Sequence, residues 1–286
     1  MTQQPQPKRI GFLGPAGTFT EEATLLYDPH ATLVPFPTIL ASGTAISEGK
    51  TDESVLPIEN SLEGAVPDTL DLLIHSKSPL HIKYEVTLPI IQCLFAKPSV
   101  TEAQIDVIYS HPQALGQCRK FIEARFPKAE LIASLSTVAA VEQALGQPNA
   151  AAIAPRRAGA LYGAAMLAPA IQDSANNVTR FVVLAQADHE PTDNDKTSLC
   201  FGFTKDEPGI LVRVLQIFST KGINLEKIES RPTKENLGKY IFLVDLQGHR
   251  LKSPVKEALD EVLALSDPQW FKVFGSYPRY QGSSGS

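Results

Sequence analysis

The chain has 286 residues, of which 43% are hydrophobic and 20% are charged, a composition that argues against general disorder and fibrous repeats. Single cores stop growing near ~250 residues, so two or three folding units are expected. The formal net charge of −5 argues against nucleic acid or an anionic membrane as the main partner, because both bind clustered basic surfaces.

The first part of the chain alternates short β-branched runs with helical patterns, which is typical of βαβ units around a largely parallel sheet. The predicted elements are strands at 10–13, 32–36 and 54–58, a helix from Thr20 and a helix over 39–48. The long apolar stretch 80–97 has no helix-period stripe, and we interpret it as strands that cross between two lobes.

A second series of alternating elements follows this stretch. It consists of strands at 107–110, 131–133 and 150–154, a helix from Pro112 and a helix capped by Ser136 or Thr137. A strand at 179–184 then has the pattern of a return crossing. We therefore predict a two-lobed α/β region of the periplasmic-binding-protein-like kind, with its ligand cleft between the lobes.

Residues 187–196 are acidic, contain a proline and lack apolar periodicity, so we interpret them as a linker. After it, strands are predicted at 197–204, 223–230, 240–246 and 271–274, with helices around 211–218 and over 254–265. This is the βαββαβ order of a ferredoxin-like domain, whose open sheet edge favours a homodimer or homotetramer. Domains are expected at 8–186 and 197–280, and the Gly-Ser tail at 282–286 has only linker composition.

Targeting segments and metal motifs are missing from the sequence pattern. No apolar run reaches the ~20 residues of a membrane span, and residues 1–5 lack a signal-peptide pattern, so we expect a cytoplasmic protein without a membrane partner. The widely spaced Cys93, Cys118 and Cys200 predict buried reduced thiols. Without an HExxH or GxSxG motif, neither a metal nor a covalent mechanism is expected.

The segment 11–20 has three glycines and the hydroxyls of Thr18 and Thr20 directly before a predicted helix. Backbone N–H groups at a helix start suit an anion, although a tight turn with an N-cap gives the same pattern. The glycine spacing matches neither the dinucleotide-binding motif nor the P-loop, so nucleotide binding is poorly supported.

Two later segments place polar side chains beside predicted strands. Asn60 follows a strand, where open α/β sheets bind ligands, although asparagine is also a common turn residue. The segment 176–181 combines two amides, the Thr179 hydroxyl and the Arg180 guanidinium, which suits a carboxylate.

Five ordered motifs resemble prephenate dehydratase over nearly the whole chain: GPAGTFTEEA at 14–23, PIENSLEG at 57–64, SHPQALGQC at 110–118, ST at 136–137 and NNVTRF at 176–181. Residues 207–218 and 223–232 resemble the ACT domain that binds phenylalanine in this family. No chorismate-mutase pattern precedes Arg9, so the monofunctional form is expected.

The resemblance implies conversion of prephenate to phenylpyruvate without a cofactor, with Thr179 and Asn60 as catalytic residues and Thr179 essential for the step. It further implies a substrate-binding set of Thr18, Phe19, Ser61, Gly64, Ser110, Gln117, Ser136, Thr137, Asn177, Arg180 and Phe181. For L-phenylalanine as effector, the implied residues are Gly209, Ile210, Leu211, Asn224, Glu229, Ser230 and Arg231.

Three positions depart from the common family pattern. Gln92-Cys93 stands where histidine is frequent, and Leu135 stands where some members have a carboxylate. Ile210 replaces the usual alanine and would narrow the effector pocket.

Two other hypotheses for the front region stay open at this point. One is a non-catalytic sensor of small anions, since two lobes joined by two crossovers also describe solute-binding proteins. The other keeps the enzyme but takes arogenate, which differs from prephenate by an amine. For the rear domain, the alternative is a dimerisation module without a ligand.

Overall fold

The computed structural model describes residues 7–205, 207–235, 238–280 and 282. These residues form two compact units. One lies within the ranges 1–42, 55–66 and 87–181, and the other lies within the ranges 43–54, 67–86 and 182–286. The expectations for the first five residues and for most of the Gly-Ser tail lie outside the described residues. The predicted domain limits at 8–186 and 197–280 stay predictions.

The strands, in chain order, are β1 (Arg9–Leu13), β2 (Thr32–Phe36), β3 (Glu53–Asn60), β4 (Gly64–Ala65), β5 (His81–Pro89), β6 (Gln92–Ala96), β7 (Val107–Ser110), β8 (Glu130–Ala133), β9 (Ala150–Pro155), β10 (Ala165–Ala168), β11 (Val178–Ala185), β12 (Asp195–Gly202), β13 (Leu225–Pro232), β14 (Tyr240–Gln247) and β15 (Lys272–Pro278). The α-helices are α1 (Phe19–Tyr27), α2 (Ile39–Ser47), α3 (Pro67–His75), α4 (Pro112–Gln117), α5 (Arg119–Arg125), α6 (Thr137–Leu145), α7 (Arg156–Leu161), α8 (Ile210–Thr220) and α9 (Val255–Leu265). Single 3₁₀ turns lie at Glu102–Gln104 and Pro268–Trp270.

The first two sheets take up the strands before the predicted linker. One has the order β2-β1-β3-β11-β5, with β4 paired to β3, and the other has the order β10-β6-β9-β7-β8. Both contain antiparallel as well as parallel pairs, so they are mixed rather than largely parallel. The stretch 80–97 supplies β5 to one sheet and β6 to the other, which agrees with the predicted crossing.

The five-stranded sheet has apolar cores on both faces. Leu94 and Ile153 pack with α4 and α5 on one face, whereas Phe95 and Ala152 pack with α6 and α7 on the other. Successive side chains of a strand point to opposite faces, which explains why β9 is buried along its whole length.

The third sheet has the order β13-β14-β12-β15, and helices α8 and α9 cover one face through Val214, Phe218, Leu259 and Val262. The mixed α/β class and the βαββαβ order are thus confirmed. Strand β12 begins at Asp195, two residues earlier than predicted, because the Asp195 carboxylate accepts the Thr192 N–H while its backbone pairs with β15. Among the described residues, no helix is long and apolar enough to cross a membrane.

Candidate active site

The first loop is organised by Thr18, which caps helix α1. Its hydroxyl accepts the Glu21 N–H at 3.3 Å and donates to the Leu13 carbonyl at 3.2 Å. The helix therefore begins at Phe19 rather than Thr20. Gly17 has a φ of +94° and lies against Ala158, so a side chain there would be strained. The N-cap interpretation is confirmed.

Glu21 and Arg157 form a bidentate ion pair between helices α1 and α7. Arg157 donates to the two carboxylate oxygens at 2.5 and 3.1 Å, and the Gly17 N–H donates at 2.7 Å. Burial acts to raise the pKa of Glu21, but the Arg157 and Gly17 hydrogen bonds outweigh it and hold the pKa below 4.5. Burial raises the pKa of the neighbouring Glu22, and the Arg157 and Arg156 charges oppose that rise only partly.

We expect the Glu21 carboxylate to stabilise the fold at neutral pH and to lose that effect in acid. A group whose folded pKa is depressed contributes above its unfolded pKa, here 4.5, and loses the contribution as the pH falls through the folded pKa. Glu21→Gln should lower the free energy of unfolding by about 1–3 kcal/mol at pH 7. Urea titrations at pH 7, 5 and 4 should show that deficit shrinking, whereas a deficit that grows in acid would contradict the assignment.

Asn60 and Thr179 meet where strands β3 and β11 lie side by side. The Asn60 amide donates to the Thr179 hydroxyl at 2.9 Å, to the Asn177 side-chain oxygen at 2.7 Å and to the Val178 carbonyl at 3.4 Å. Its own oxygen accepts the N–H groups of residues 62 and 63 at 2.9 and 3.1 Å. The Thr179 oxygen accepts in this arrangement, so its proton can be donated to a ligand.

These side chains border a cavity of about 470 Å³. Of the predicted site residues, those that line it are Thr18, Phe19, Asn60, Gln117, Ser136, Thr137, Thr179 and Phe181. Ser136 caps helix α6 by accepting the Ala139 N–H at 3.0 Å, which decides between the two predicted caps. No Lys, Arg, Asp or Glu is among the described lining residues, so its polar side chains are hydroxyls, amides and the His111 imidazole.

Five predicted site residues are not in the lining of this cavity. The Ser110 hydroxyl donates to the Ile153 carbonyl at 2.7 Å, and Arg180 pairs with Glu59 at 3.5 Å. Ser61 exchanges hydrogen bonds with the backbone of residues 176 and 178. Asn177 borders a neighbouring cavity of about 370 Å³. Gly64 has a φ of +84° at the start of β4.

A model of the prephenate dehydratase family matches residues 10–189, and a model of the ACT domain matches residues 203–264. The chain belongs to the prephenate dehydratase family. It is 41% identical to a bifunctional chorismate mutase/prephenate dehydratase from Aquifex aeolicus, over 95% of this chain and 74% of that protein. It is 37% identical to a prephenate dehydratase from Bacillus subtilis, over 96% of this chain and 99% of that protein.

A solved structure agrees with these prephenate dehydratase relatives. The prephenate dehydratase from Arthrobacter aurescens in complex with L-Phe superposes with a TM-score of 0.86 at 36% identity, covering 95% of this chain and 90% of that one. The likeness spans both the region that holds the Thr179 cavity and the ACT domain.

Sequence reasoning missed several groups in and near this cavity. His111, within the third motif, caps helix α4 by accepting the Gln113 N–H at 3.3 Å, and both residues line the cavity. Gln92 lines it too, although it was singled out only as a departure from the family pattern. The Glu21–Arg157 pair, which lies outside the lining, left no local signal, because its partners lie 136 positions apart.

The three cysteines do not favour thiol chemistry. Cys93, Cys118 and Cys200 are all buried free thiols, as predicted. Burial raises the pKa of Cys118 to about 12, with smaller contributions from Asp173 and Cys93, so a reactive thiolate is scarce at neutral pH.

The ACT domain has its own cavity of about 430 Å³ at the start of helix α8, and the predicted effector residues Gly209, Ile210 and Leu211 line it. Gly209 is the N-cap of that helix with a φ of +83°. The other predicted effector residues lie elsewhere. Arg231 pairs with Asp71 at 3.2 Å, Glu229 pairs with Lys227 at 3.2 Å, Asn224 borders a different cavity and Ser230 lies on β13.

Proposed function

We propose that this chain catalyses the decarboxylative dehydration of prephenate to phenylpyruvate in phenylalanine biosynthesis. The observation that carries the proposal is the Thr179 hydroxyl, which lines the cavity and accepts a hydrogen bond from Asn60 at 2.9 Å. Membership of the prephenate dehydratase family supports the same reaction.

The reaction consumes the prephenate dianion and one proton, and it yields the phenylpyruvate anion, carbon dioxide and water. The bond between the ring and its carboxylate breaks, the electron pair moves into the ring, and the carbon–oxygen bond opposite breaks. Thr179 donates its proton to the departing hydroxyl, while Asn60 holds the threonine oxygen in place. The proton that the reaction consumes then restores the Thr179 hydroxyl. Aromatisation makes the overall step strongly downhill, so no cofactor is required.

The lack of Lys, Arg, Asp and Glu among the described lining residues fits this chemistry. A carboxylate that loses carbon dioxide disperses its charge in the transition state. A cavity that gives little stabilisation to the localised charge of the ground state therefore favours the transition state. The lining includes Phe19, Ile39 and Phe181. These side chains suit a ring that becomes aromatic.

The same lining favours prephenate over arogenate. Arogenate carries an ammonium group, which is usually bound by a carboxylate. The described lining residues include none. We therefore propose prephenate as the substrate.

We also propose feedback by phenylalanine through the ACT cavity that Gly209, Ile210 and Leu211 border. Such regulation needs an effector that binds two states of the enzyme with different affinity. The homo-oligomer and the cytoplasmic location stay predictions of the sequence.

A turnover assay with purified chain tests these proposals together. Phenylpyruvate should form from prephenate without added metal or cofactor, arogenate should react at least about tenfold less efficiently, and phenylalanine should change the rate. Binding of prephenate without turnover would support the sensor hypothesis instead. If phenylalanine does not change the turnover rate and calorimetry detects no binding of phenylalanine, the ACT domain has only a structural role.

A further inference from the structure

The side chain of Gln92 has one polar group that the fold does not use. Gln92 begins strand β6, is 3% exposed and lines the cavity that Thr179 borders. Its Oε1 is buried and has no hydrogen-bond partner among the described residues. An unpaired buried acceptor costs about 1–3 kcal/mol, so such a group calls for an explanation, and a ligand is one.

Two neighbours decide which way the Gln92 amide points. The Gln117 Nε2 donates to the Glu63 Oε1 at 3.5 Å, and the Gln117 Oε1 accepts from the Gln92 Nε2 at 3.5 Å. An ionised carboxylate only accepts, so Glu63 requires the NH₂ group of Gln117. Flipping Gln92 alone would set two amide oxygens against each other, and flipping both amides would set an oxygen against Glu63.

Two shorter hydrogen bonds fix the backbone of Gln92. Its N–H donates to the Gln172 side-chain oxygen at 3.1 Å, and its carbonyl accepts the Ile171 N–H at 2.8 Å. Glu63, Gln117 and Gln92 thus form a row of hydrogen-bonded side chains. The row ends in the Gln92 Oε1, which can only accept a hydrogen bond.

We propose that the Gln92 Oε1 accepts a hydrogen bond from the ring hydroxyl of the substrate. This inference rests on the proposed function. Bound prephenate offers two ionised carboxylates and a ketone, all of them acceptors, and its ring hydroxyl is its single donor. The leaving oxygen then receives the Thr179 proton, while its own hydrogen stays in the hydrogen bond to Gln92. Gln92 is therefore a substrate-binding residue, and Gln117 and Glu63 are positioning residues.

Gln92→Met tests the contact, because methionine has the same unbranched length without the amide. We expect kcat/KM for prephenate to fall about tenfold to a hundredfold. The dissociation constant of phenylpyruvate, which has no ring hydroxyl, should stay within about twofold, since the lost bond never existed in that complex. Gln92→Leu should give the same pair of results if the methionine variant does not fold.

Three outcomes are informative beyond this expected pair. Unchanged kcat/KM in a folded variant overturns the proposal, and so does an equal loss of prephenate turnover and phenylpyruvate binding, which indicates a packing role. A wild-type chain that does not convert prephenate at all would instead overturn the proposed function.

A double-mutant cycle tests the role of Glu63. Glu63→Gln removes the group that fixes the amide polarity, so both orientations of the row become accessible and kcat/KM should fall about two- to fivefold. In the Gln92→Met background the same change should have a clearly smaller effect, because the Gln92 amide whose orientation it controls is gone. Equal losses in both backgrounds would overturn the positioning role.

Discussion

Replacing Thr179 by valine is expected to lower kcat for phenylpyruvate formation by about 10²–10⁴-fold, the usual contribution of a positioned proton donor. Valine has nearly the shape of threonine, and Thr179 is only 8% exposed, so the packing around strand β11 should survive. What is lost is the proton donated to the departing hydroxyl. Steady-state kinetics with prephenate measures this effect.

Thr179→Ser is the matched control, because it keeps the hydroxyl and removes only a methyl group. We expect it to retain activity within about tenfold of the wild type. The free energy of unfolding of both variants should be measured beside the kinetics. A valine variant that folds and turns prephenate over at the wild-type rate would leave Thr179 without a role in the chemistry.

Eight of the predicted site residues line one cavity, but the contacts among them could not be predicted from the sequence. Asn60 and Thr179 were each recognised beside a strand, yet 119 positions separate them. Their contact depends on β3 and β11 being neighbours, and no local pattern specifies a strand order. Family motifs named the two residues, and the topology supplied the hydrogen bond between them.

The position of Arg180 shows what strand periodicity alone could have added. Thr179 and Arg180 are successive residues of β11, so their side chains point to opposite faces of the sheet. Glu59 and Asn60 follow the same rule in the neighbouring β3. Thr179 and Asn60 therefore meet at the cavity, whereas Arg180 meets Glu59 at 3.5 Å.

The elements that the sequence did not predict include α3, α7 and β10. The six-residue helix α7 and the four-residue strand β10 are too short to show a period. Helix α3 buries Leu70 and Leu73, but it follows a ligand-type motif that was interpreted by its polar residues alone. Elements of this size depend on tertiary packing more than on propensity.

Asn60→Asp is expected to damage both stability and activity, although it changes one nitrogen to oxygen. The acceptor for the N–H groups of residues 62 and 63 is kept. The donor is lost, and an oxygen then lies near 2.7 Å from the Asn177 Oδ1 and 2.9 Å from the Thr179 Oγ1. The Thr179 hydroxyl should turn to donate to the new carboxylate, so it no longer serves the substrate.

We expect the free energy of unfolding to fall by about 3 kcal/mol at pH 7, as for a buried polar group that loses its partners. In the same variant, kcat should fall by about 10²-fold. Protonation of the new carboxyl restores a donor, so the stability deficit relative to the wild type should shrink as the pH is lowered.

Asn176→Asp is the matched control for this substitution, since it makes the same change on an exposed amide one residue before Asn177. Its free energy of unfolding should stay within about 0.5 kcal/mol of the wild type. Urea denaturation from pH 7 to pH 5 compares both variants. Equal effects of the two substitutions would mean that the negative charge, and not the lost donor at Asn60, sets the result.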